Sequence, residues 1–386
     1  MSKETARVCL YSGYLAGALD EFCRTVWPDS YRNTQPPGLS ASSEVAGSEL
    51  SAHAAPTFLF LKGEKAVGHV ATIPVRLSTV SGVVSAYWIV GFMVLAEYRN
   101  GLVGPLLIKE VNRVLDCALS LHVEAPVMRI LTGLKWVHKG ILPQYLRVLN
   151  SREVMKNLQP SGMGSMSPDA KKWSSLLQSQ IGNAFVRWVG SIGLAFGQML
   201  WSGMGFLIRP GRAQVETREE LEFDESYTEL WQSVAGQFKA ALVRDQASLQ
   251  ARFGRKIDRY RLLACRRGHK LMGYCILKMK TFSHDSRMGN MKVGTIVDCL
   301  YDPEVPSILQ SLMIHASQWF DREDAHVIFC TASLSAVRRV LLANGFFRIP
   351  GNLNFAYHTR SPMPIDQVPI ECWHLMRGDS DADQNF

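Results

Sequence analysis

The chain has 386 residues, 47% hydrophobic and 20% charged, with a net charge of +8. That length is too great for one comfortable core, so two domains are the default, and the composition is that of an ordinary globular protein. The mild positive balance fits anionic partners such as a CoA-like cofactor, nucleotide sugars, tRNA or an acidic membrane surface, and equally a basic surface with no dedicated partner. The eight cysteines, Cys9, Cys23, Cys117, Cys265, Cys275, Cys299, Cys330 and Cys372, show no C-x-x-C pair and no metal-ligand spacing. Most sit in apolar runs, where a free thiol behaves as a small hydrophobe. A reducing cytoplasm and no structural metal are expected. The opening stretch MSKETARVCLYSG lacks the long apolar run of a secretory signal.

Along the chain, residues 1–28 read as a strand and a short helix from Leu15 to Val26, ending at Trp27-Pro28. Ser30 to Pro56 turns to Pro, Ser, Gly and Ala, the composition of a surface loop or lid. Strands follow at Thr57–Leu61, Ala66–Leu77 and Val83–Leu95, with turns at Lys62-Gly63-Glu64-Lys65 and around Ser81-Gly82. The chain then breaks at Glu97-Tyr98-Arg99-Asn100-Gly101 and resumes with Val103, Leu107, Val111, Val114 and Ala118 on one helical face. Pro105 stands where a first-turn proline is tolerated. A buried strand thus feeds a turn that opens a helix, which aims backbone N–H groups and a positive dipole end at an anion. A strand at Val127–Leu131 and a helix at Leu142–Leu149 complete this half, a mixed α/β layer sandwich rather than a doubly wound fold.

Residues 151–180 are polar. Trp188 to Ile208 then runs 21 residues without a charge between Arg187 and Arg209. Five glycines and Gln198 make it a weak membrane span. A helix packed between two domains and an interfacial helix lying on a membrane, over about 185–209, are the two readings placed ahead of a span. The second half repeats the first. Lys62 to His69 aligns without gaps to Arg267 to Tyr274, Ile89–Met93 to Ile296–Leu300, Leu106-Leu107 to Leu312-Met313, and Val127–Ile130 to Val327–Cys330. The expected division is a domain at 1–157, a linker at 158–214 whose apolar helix covers about 181–208, a second domain at 215–362 and a tail at 363–386 that frays at Asp379–Phe386.

With these residues in place, a resemblance can be named. A strand, then Arg/Gln-x-x-Gly-x-Gly/Ala, then a helix is the acyl-CoA-binding motif of the GNAT superfamily of N-acetyltransferases. This chain reads Arg99-Asn100-Gly101-Leu102-Val103-Gly104 there, and Glu97-Tyr98-Arg99 resembles the family's usual lead-in. The resemblance implies two GNAT-like α/β sandwich domains in tandem, each with a mixed sheet, joined by the apolar helical linker. It implies that Arg99, Asn100, Gly101, Leu102, Val103 and Gly104 hold the pyrophosphate of acetyl-CoA or another acyl-CoA, with Met93 and Val94 beside the pantetheine arm and the thioester carbonyl, and no metal. The departure is Leu102, where the family has glycine for close phosphate approach. Gln144-Tyr145-Leu146-Arg147-Val148 resembles the family's Tyr-x-x-Leu-Gly-Phe helix, which would make Tyr145 the acid that protonates the departing thiolate; the alternative is an ordinary surface tyrosine.

The second copy has no glycine and no arginine between Leu300 and Leu309, so its phosphate cradle is missing. It has instead Asp298 inside the apolar run Thr295–Leu300, where a carboxylate is costly unless paired or used. Two readings stand: a base or binding group for an acceptor amine, or a structural aspartate satisfied by an arginine. No residue in Trp88–Leu95 can act as a base, which leaves a water relay or Asp298. Arg244, Asp245 and Arg252, in a segment similar to tandem GNAT-like proteins of bacterial exopolysaccharide and cell-envelope pathways, would line an acceptor site or form a charged helix face. The implied function is an acyl-CoA-dependent N-acyltransferase acting on an amine of a sugar or cell-envelope precursor, cytoplasmic or peripheral at the inner membrane face, with no DNA partner. Fem-type aminoacyl-tRNA-dependent transfer is the alternative enzyme reading, and a catalytically inactive scaffold the non-enzymatic one.

Overall fold

The structure, a computed structural model, describes residues 6–28, 55–157, 184–207, 211 and 213–383. The chain folds as two compact units, 1–141 with 353–369 and 142–352 with 370–386. The first begins with β1 (Ala6–Leu10), α1 (Ala16–Val26), β2 (Phe58–Lys62), β3 (Lys65–Thr79) and β4 (Gly82–Val94). It continues with α2 (Val103–Val114), β5 (Cys117–Leu121), α3 (Ala125–Gly133) and β6 (Val137–Ile141). The chain then enters the second unit with β7 (Gln144–Val148), α4 (Ser151–Asn157), α5 (Ala184–Leu207), β8 (Glu216–Glu220), α6 (Glu225–Val234), β9 (Ala240–Leu242) and α7 (Gln246–Phe253). There follow β10 (Arg261–Arg267), β11 (Lys270–Thr281), β12 (Lys292–Tyr301), α8 (Pro306–Arg322), β13 (Val327–Thr331), α9 (Ser335–Ala343) and β14 (Phe347–Ile349). The chain returns to the first unit as β15 (Asn354–Thr359) and ends in the second with β16 (Trp373–His374).

The two units carry one plan. The first sheet runs β1-β2-β3-β4-β5-β15-β6, and the second, read from its other edge, β8-β10-β11-β12-β13-β7-β14. Both open with a two-residue hairpin whose first residue is a glycine at positive φ, Gly63 at 63° and Gly268 at 60°, the backbone that lets a tight turn match strand twist. In both, a bulge then sits between the third and fourth strands of the order, at His69/Ala71 and at Ile276/Leu277. The exchanged strands complete the pattern. β15 lies between β5 and β6, and β7 lies between β13 and β14, each antiparallel to both neighbours.

Each unit has its own core. In the first, Leu107 and Val111 of α2 pack on the sheet with Phe22, Phe58 and Leu131, all buried. In the second, Tyr227, Leu249, Tyr274, Leu312 and Phe320 are sealed around β11 and β12. From Val293 to Tyr301 every residue of β12 is buried, as expected of a central strand covered on both faces.

The expected α/β architecture holds, and four local expectations do not. The helix expected to run to Ala118 stops at Val114, and Cys117–Leu121 is a fully buried strand; a short apolar run fits either period. Val127–Leu131 lies in α3 rather than in a strand, with Pro126 in its first turn. The counterpart of β13 is therefore β5. Leu142–Leu149 is not a helix: Gln144–Val148 is β7, bonded into the second sheet. The tail expected to fray at Asp379 is ordered to residue 383, with Asp379 and Asp383 buried. The units consequently differ from the continuous segments 1–157 and 215–362. The lid expected at Ser30–Pro56 falls mostly outside the described residues, as do 158–183.

Residues 1–141 produced alone would leave β5 and β6 without the strand that bonds both. The expected outcome is a collapsed amide spectrum by two-dimensional NMR, and dispersion regained when 352–369 is appended after Ile141 through a flexible linker. A well-dispersed spectrum for 1–141 alone would contradict the exchange.

Candidate functional site

The first unit opens where its two central parallel strands part. β4 and β5 pair only at Tyr87 with Ala118 and Trp88 with Leu119. Beyond that point β4 carries one residue more than β3, because His69 stands opposite Met93 and Ala71 opposite Val90. The extra residue bends the strand and increases its twist. Gly91 sits in this bulge at φ 57°, a conformation that costs a residue with a Cβ. Its carbonyl accepts a 2.8 Å hydrogen bond from Nδ1 of His69. The His69 ring is buried, stacked at 5.8 Å on Phe22 and edge-on at 5.7 Å to Trp27. Burial lowers the His69 pKa to about 4, against the opposing effect of the Gly91 carbonyl. His69 is therefore a neutral clamp on the bulge.

The far half of β4 has a free edge. Leu95 N–H donates to Val67 O at 3.0 Å, and residues of an antiparallel ladder alternate between facing the partner and facing away. Met93 thus faces β3, while the N–H and C=O of Val94 face the side from which β5 has departed. Arg99 confirms this, since its Nε donates to Val94 O at 3.0 Å and its Nη2 lies 3.9 Å from the Met93 sulfur. A short turn at Ala96–Tyr98 then leads to α2, whose N-cap is Leu102. Among the described residues, the N–H groups of Leu102, Val103 and Gly104 find no acceptor within the chain. Pro105 has no N–H to offer. Gly104 brings this first turn close: a Cβ there would stand 3.3 Å from both Phe92 Cζ and Ile130 Cδ1.

The sequence-derived loop, Arg99 to Gly104 with Met93 and Val94, is therefore one contiguous place in the first unit. Leu102 does not obstruct it from within. Its φ of −85° suits any residue, and its side chain is 72% exposed. The arrangement is chemically specific. A free strand edge can bond an amide-bearing arm, and three unpaired N–H groups at a helix start, with the dipole behind them, can hold a phosphate.

Tyr145 and Asp298 belong to the second unit. Tyr145 is buried in the core of the second unit, opposite Cys330 and Arg348 in the sheet, and burial raises its pKa against the influence of Arg338. Asp298 is fully buried on β12, and Arg244 reaches both of its oxygens, with Nη2 at 3.0 Å and Nε at 3.2 and 3.3 Å. Tyr274 donates to it at 3.0 Å. Arg244 also holds Asp379 at 2.9 Å through both oxygens, and Arg252 reaches Asp379 at 2.9 Å. Burial works to raise the Asp298 pKa, but the charges of Arg244 and Arg252 outweigh it and hold the carboxyl below its ordinary range. Two arginines and two aspartates thus form a closed, neutral cluster. Asp245 caps α7 by accepting from Ser248 N at 2.9 Å.

The cluster fastens the C-terminal segment into the second unit's version of the opening. β12 and β13 pair only as far as Ile296 with Cys330. Past that point the chain's own end takes the gap. His374 Nε2 donates to Cys299 O at 2.9 Å, and Cys299 N–H points to the Met376 sulfur at 3.2 Å. On the other side Ser333 N–H donates to Leu375 O at 3.0 Å, and Ala332 bridges Met376. The helix that follows β12 begins after Asp302-Pro303-Glu304, acidic residues that repel a phosphate. Sequence reasoning missed His69 and this tail; a lone histidine in the apolar run of β3 was the available signal for the first.

Solved structures that this chain resembles in fold are numerous. A probable N-acyltransferase from Enterococcus faecalis superposes with a TM-score of 0.54 at 10% identity, covering 92% of this chain and 72% of that one. A GCN5-related N-acetyltransferase from Anabaena variabilis gives 0.54 at 13%, covering 92% and 73%. The N-myristoyltransferase of Saccharomyces cerevisiae with bound myristoyl-CoA gives 0.54 at 14%, covering 94% and 80%. This is the GNAT fold. No protein-family model and no curated protein matches the sequence, so the likeness is one of fold, and it reaches over both units. The mixed α/β, GNAT-like fold expected from the motif is the one the chain has. Among the described residues no group of His, Cys, Asp and Glu could hold a metal ion.

Two measurements test these assignments. His69 has a folded-state pKa of about 4 against an ordinary 6.5, so the stability it contributes is complete above pH 6.5 and is lost as pH falls through 4. The loss is roughly 3 kcal/mol, and denaturant unfolding of His69→Asn should show a flatter profile across that window than wild type. Arg244→Met should lower unfolding stability by about 3 kcal/mol or more, because it leaves two buried carboxylates without their shared cation. A loss too small to detect would show that the cluster is replaceable packing.

Proposed function

We propose that the chain is an acyl-CoA-dependent N-acyltransferase whose first unit holds the cofactor. The observation that carries this is the edge of β4 that β5 leaves at Val94, with the carbonyl held by Arg99 and the N–H open, leading through one turn to the N–H groups of Leu102, Val103 and Gly104, which find no acceptor among the described residues. The pantetheine arm would bond the edge, and the pyrophosphate would sit on the start of α2. The Val94 N–H is the donor we assign to the thioester oxygen, where negative charge grows as the carbonyl is attacked. A neutral amine adds to that carbon, the C–S bond breaks, CoA leaves as thiolate, and the proton lost by the amine goes to solvent. Neither Tyr145 nor Asp298 is given a part. One is packed in the core of the second unit, and the other is bound on both oxygens. The acceptor we propose, an amine of a sugar or cell-envelope precursor, is supported by the sequence resemblance of 243–253 alone.

The second unit is proposed to bind no acyl-CoA, since its own tail supplies the bonds that a pantetheine arm would make. Titration calorimetry with acetyl-CoA and with a long-chain acyl-CoA should therefore give one site per chain. Leu102→Glu is the decisive variant. An acid at the N-terminus of a helix is compatible with folding, yet here it would stand against the pyrophosphate. Affinity should fall by about tenfold or more with no loss of thermal stability. No binding of any acyl-CoA by wild type at millimolar ligand would overturn the proposal, and binding without turnover on any amine would leave a cofactor-binding scaffold.

A further inference from the structure

The helix α5 is built the wrong way round for water. A surface helix ordinarily turns its apolar side to the core and its polar side outward. Here the polar side chains face the protein. Gln198 donates to Gly345 O at 2.7 Å and accepts from Val148 N–H at 3.3 Å. Its amide also donates to Ser202 Oγ at 3.0 Å, and Trp201 Nε1 donates to Phe346 O at 2.8 Å. The outward face, in contrast, presents Ile192, Phe196, Met199, Leu200 and Met204, each between 51 and 65% exposed. The exposed positions between them are Gly193, Leu200's neighbour Trp201, Ala195, Gly197 and Gly203, so no polar or charged side chain other than the Trp201 indole interrupts the face. A contiguous apolar strip of this kind marks a place where water is displaced by something else.

Charge identifies the partner. From Ala170 to Val215 the sequence contains Lys171, Lys172, Arg187, Arg209 and Arg212 and no aspartate or glutamate. An apolar face in a stretch of sequence whose only charged residues are basic is complementary to a surface that is oily within and anionic at its boundary. The helix cannot cross such a layer, because its other side is hydrogen-bonded to the second unit; among the described residues no helix is long and apolar enough to do so. At 24 residues it is long enough to lie in the boundary. We infer that α5 is a membrane-docking helix that inserts Ile192, Phe196, Met199, Leu200 and Met204 in plane into a leaflet rich in anionic lipid. This does not depend on the acyltransferase reading.

Vesicle flotation of the full chain tests it, using phosphatidylcholine alone and phosphatidylcholine mixed with phosphatidylglycerol, at low and high salt. The expected result is binding to the mixed vesicles that weakens with salt. In Phe196→Glu/Leu200→Glu the bound fraction should fall by about tenfold or more, with the thermal unfolding of the free protein unchanged. Three results would each overturn the inference: no binding to mixed vesicles, binding that the double variant retains, or a wild-type dimer in sedimentation velocity that the double variant dissolves without any vesicle binding. The last would make the strip a contact between copies.

Discussion

Everything at the candidate site depends on one surplus residue. β4 has to fit an extra amino acid opposite β3, and the only accommodation is to buckle at Gly91 and turn away from β5. A regular ladder would satisfy every backbone group of Val94 and leave nothing for a ligand. The buckle costs an unusual backbone conformation, and His69 stabilises it by bonding the carbonyl that the bend displaces. The same imidazole is wedged between Phe22 and Trp27, so the N-terminal helix and the bulge are packed through one ring. Strain at the candidate site is thus offset by packing one strand away from it.

The second unit shows the same device put to another use. Its bulge is at the corresponding position and its strands part at the corresponding point, but His374, which donates to Cys299 O, and Leu375 and Met376, which accept from Ser333 and Cys299 N–H, occupy the gap. A buried cluster of two arginines and two aspartates then locks the segment down. Such a cluster gains little over apolar packing, but it is costly to break one charge at a time. It therefore specifies where the tail goes. Two units with the same order of strands thus differ in that one leaves this edge open and the other closes it.

Much of this was legible in the chain itself. The first hairpin glycine, the long central strands and the turn into α2 follow local rules of pattern and turn chemistry, and the sequence shows them as a turn at Gly63, strands on either side of Ser81-Gly82 and a turn over Arg99 to Gly101. What escaped was decided by distant partners. Leu142–Leu149 has a composition that either period tolerates, and only its partners Val327–Thr331 and Phe347–Ile349 make it a strand. Cys117–Leu121 was hidden because Ala118 continued a helical spacing by chance. Asp298 could be recognised as needing a partner, but Arg244 and Asp379, 54 and 81 positions away, could not be identified from spacing. His69 left only the trace of a polar residue in an apolar run.

The exchanged strand also sets an order of events during synthesis. Leu121 and its partner Phe355 are separated by residues 142–352 of the second unit, so the first sheet must wait on the ribosome without the strand between β5 and β6 until that stretch has been made. Pairings between such distant segments form slowly, and unpaired strand edges left waiting invite association with other chains. The second unit, in contrast, receives β7 before most of its own strands have been made. The part proposed to hold the cofactor therefore becomes complete only after most of the second unit has been made, and the second unit in turn closes with 370–386.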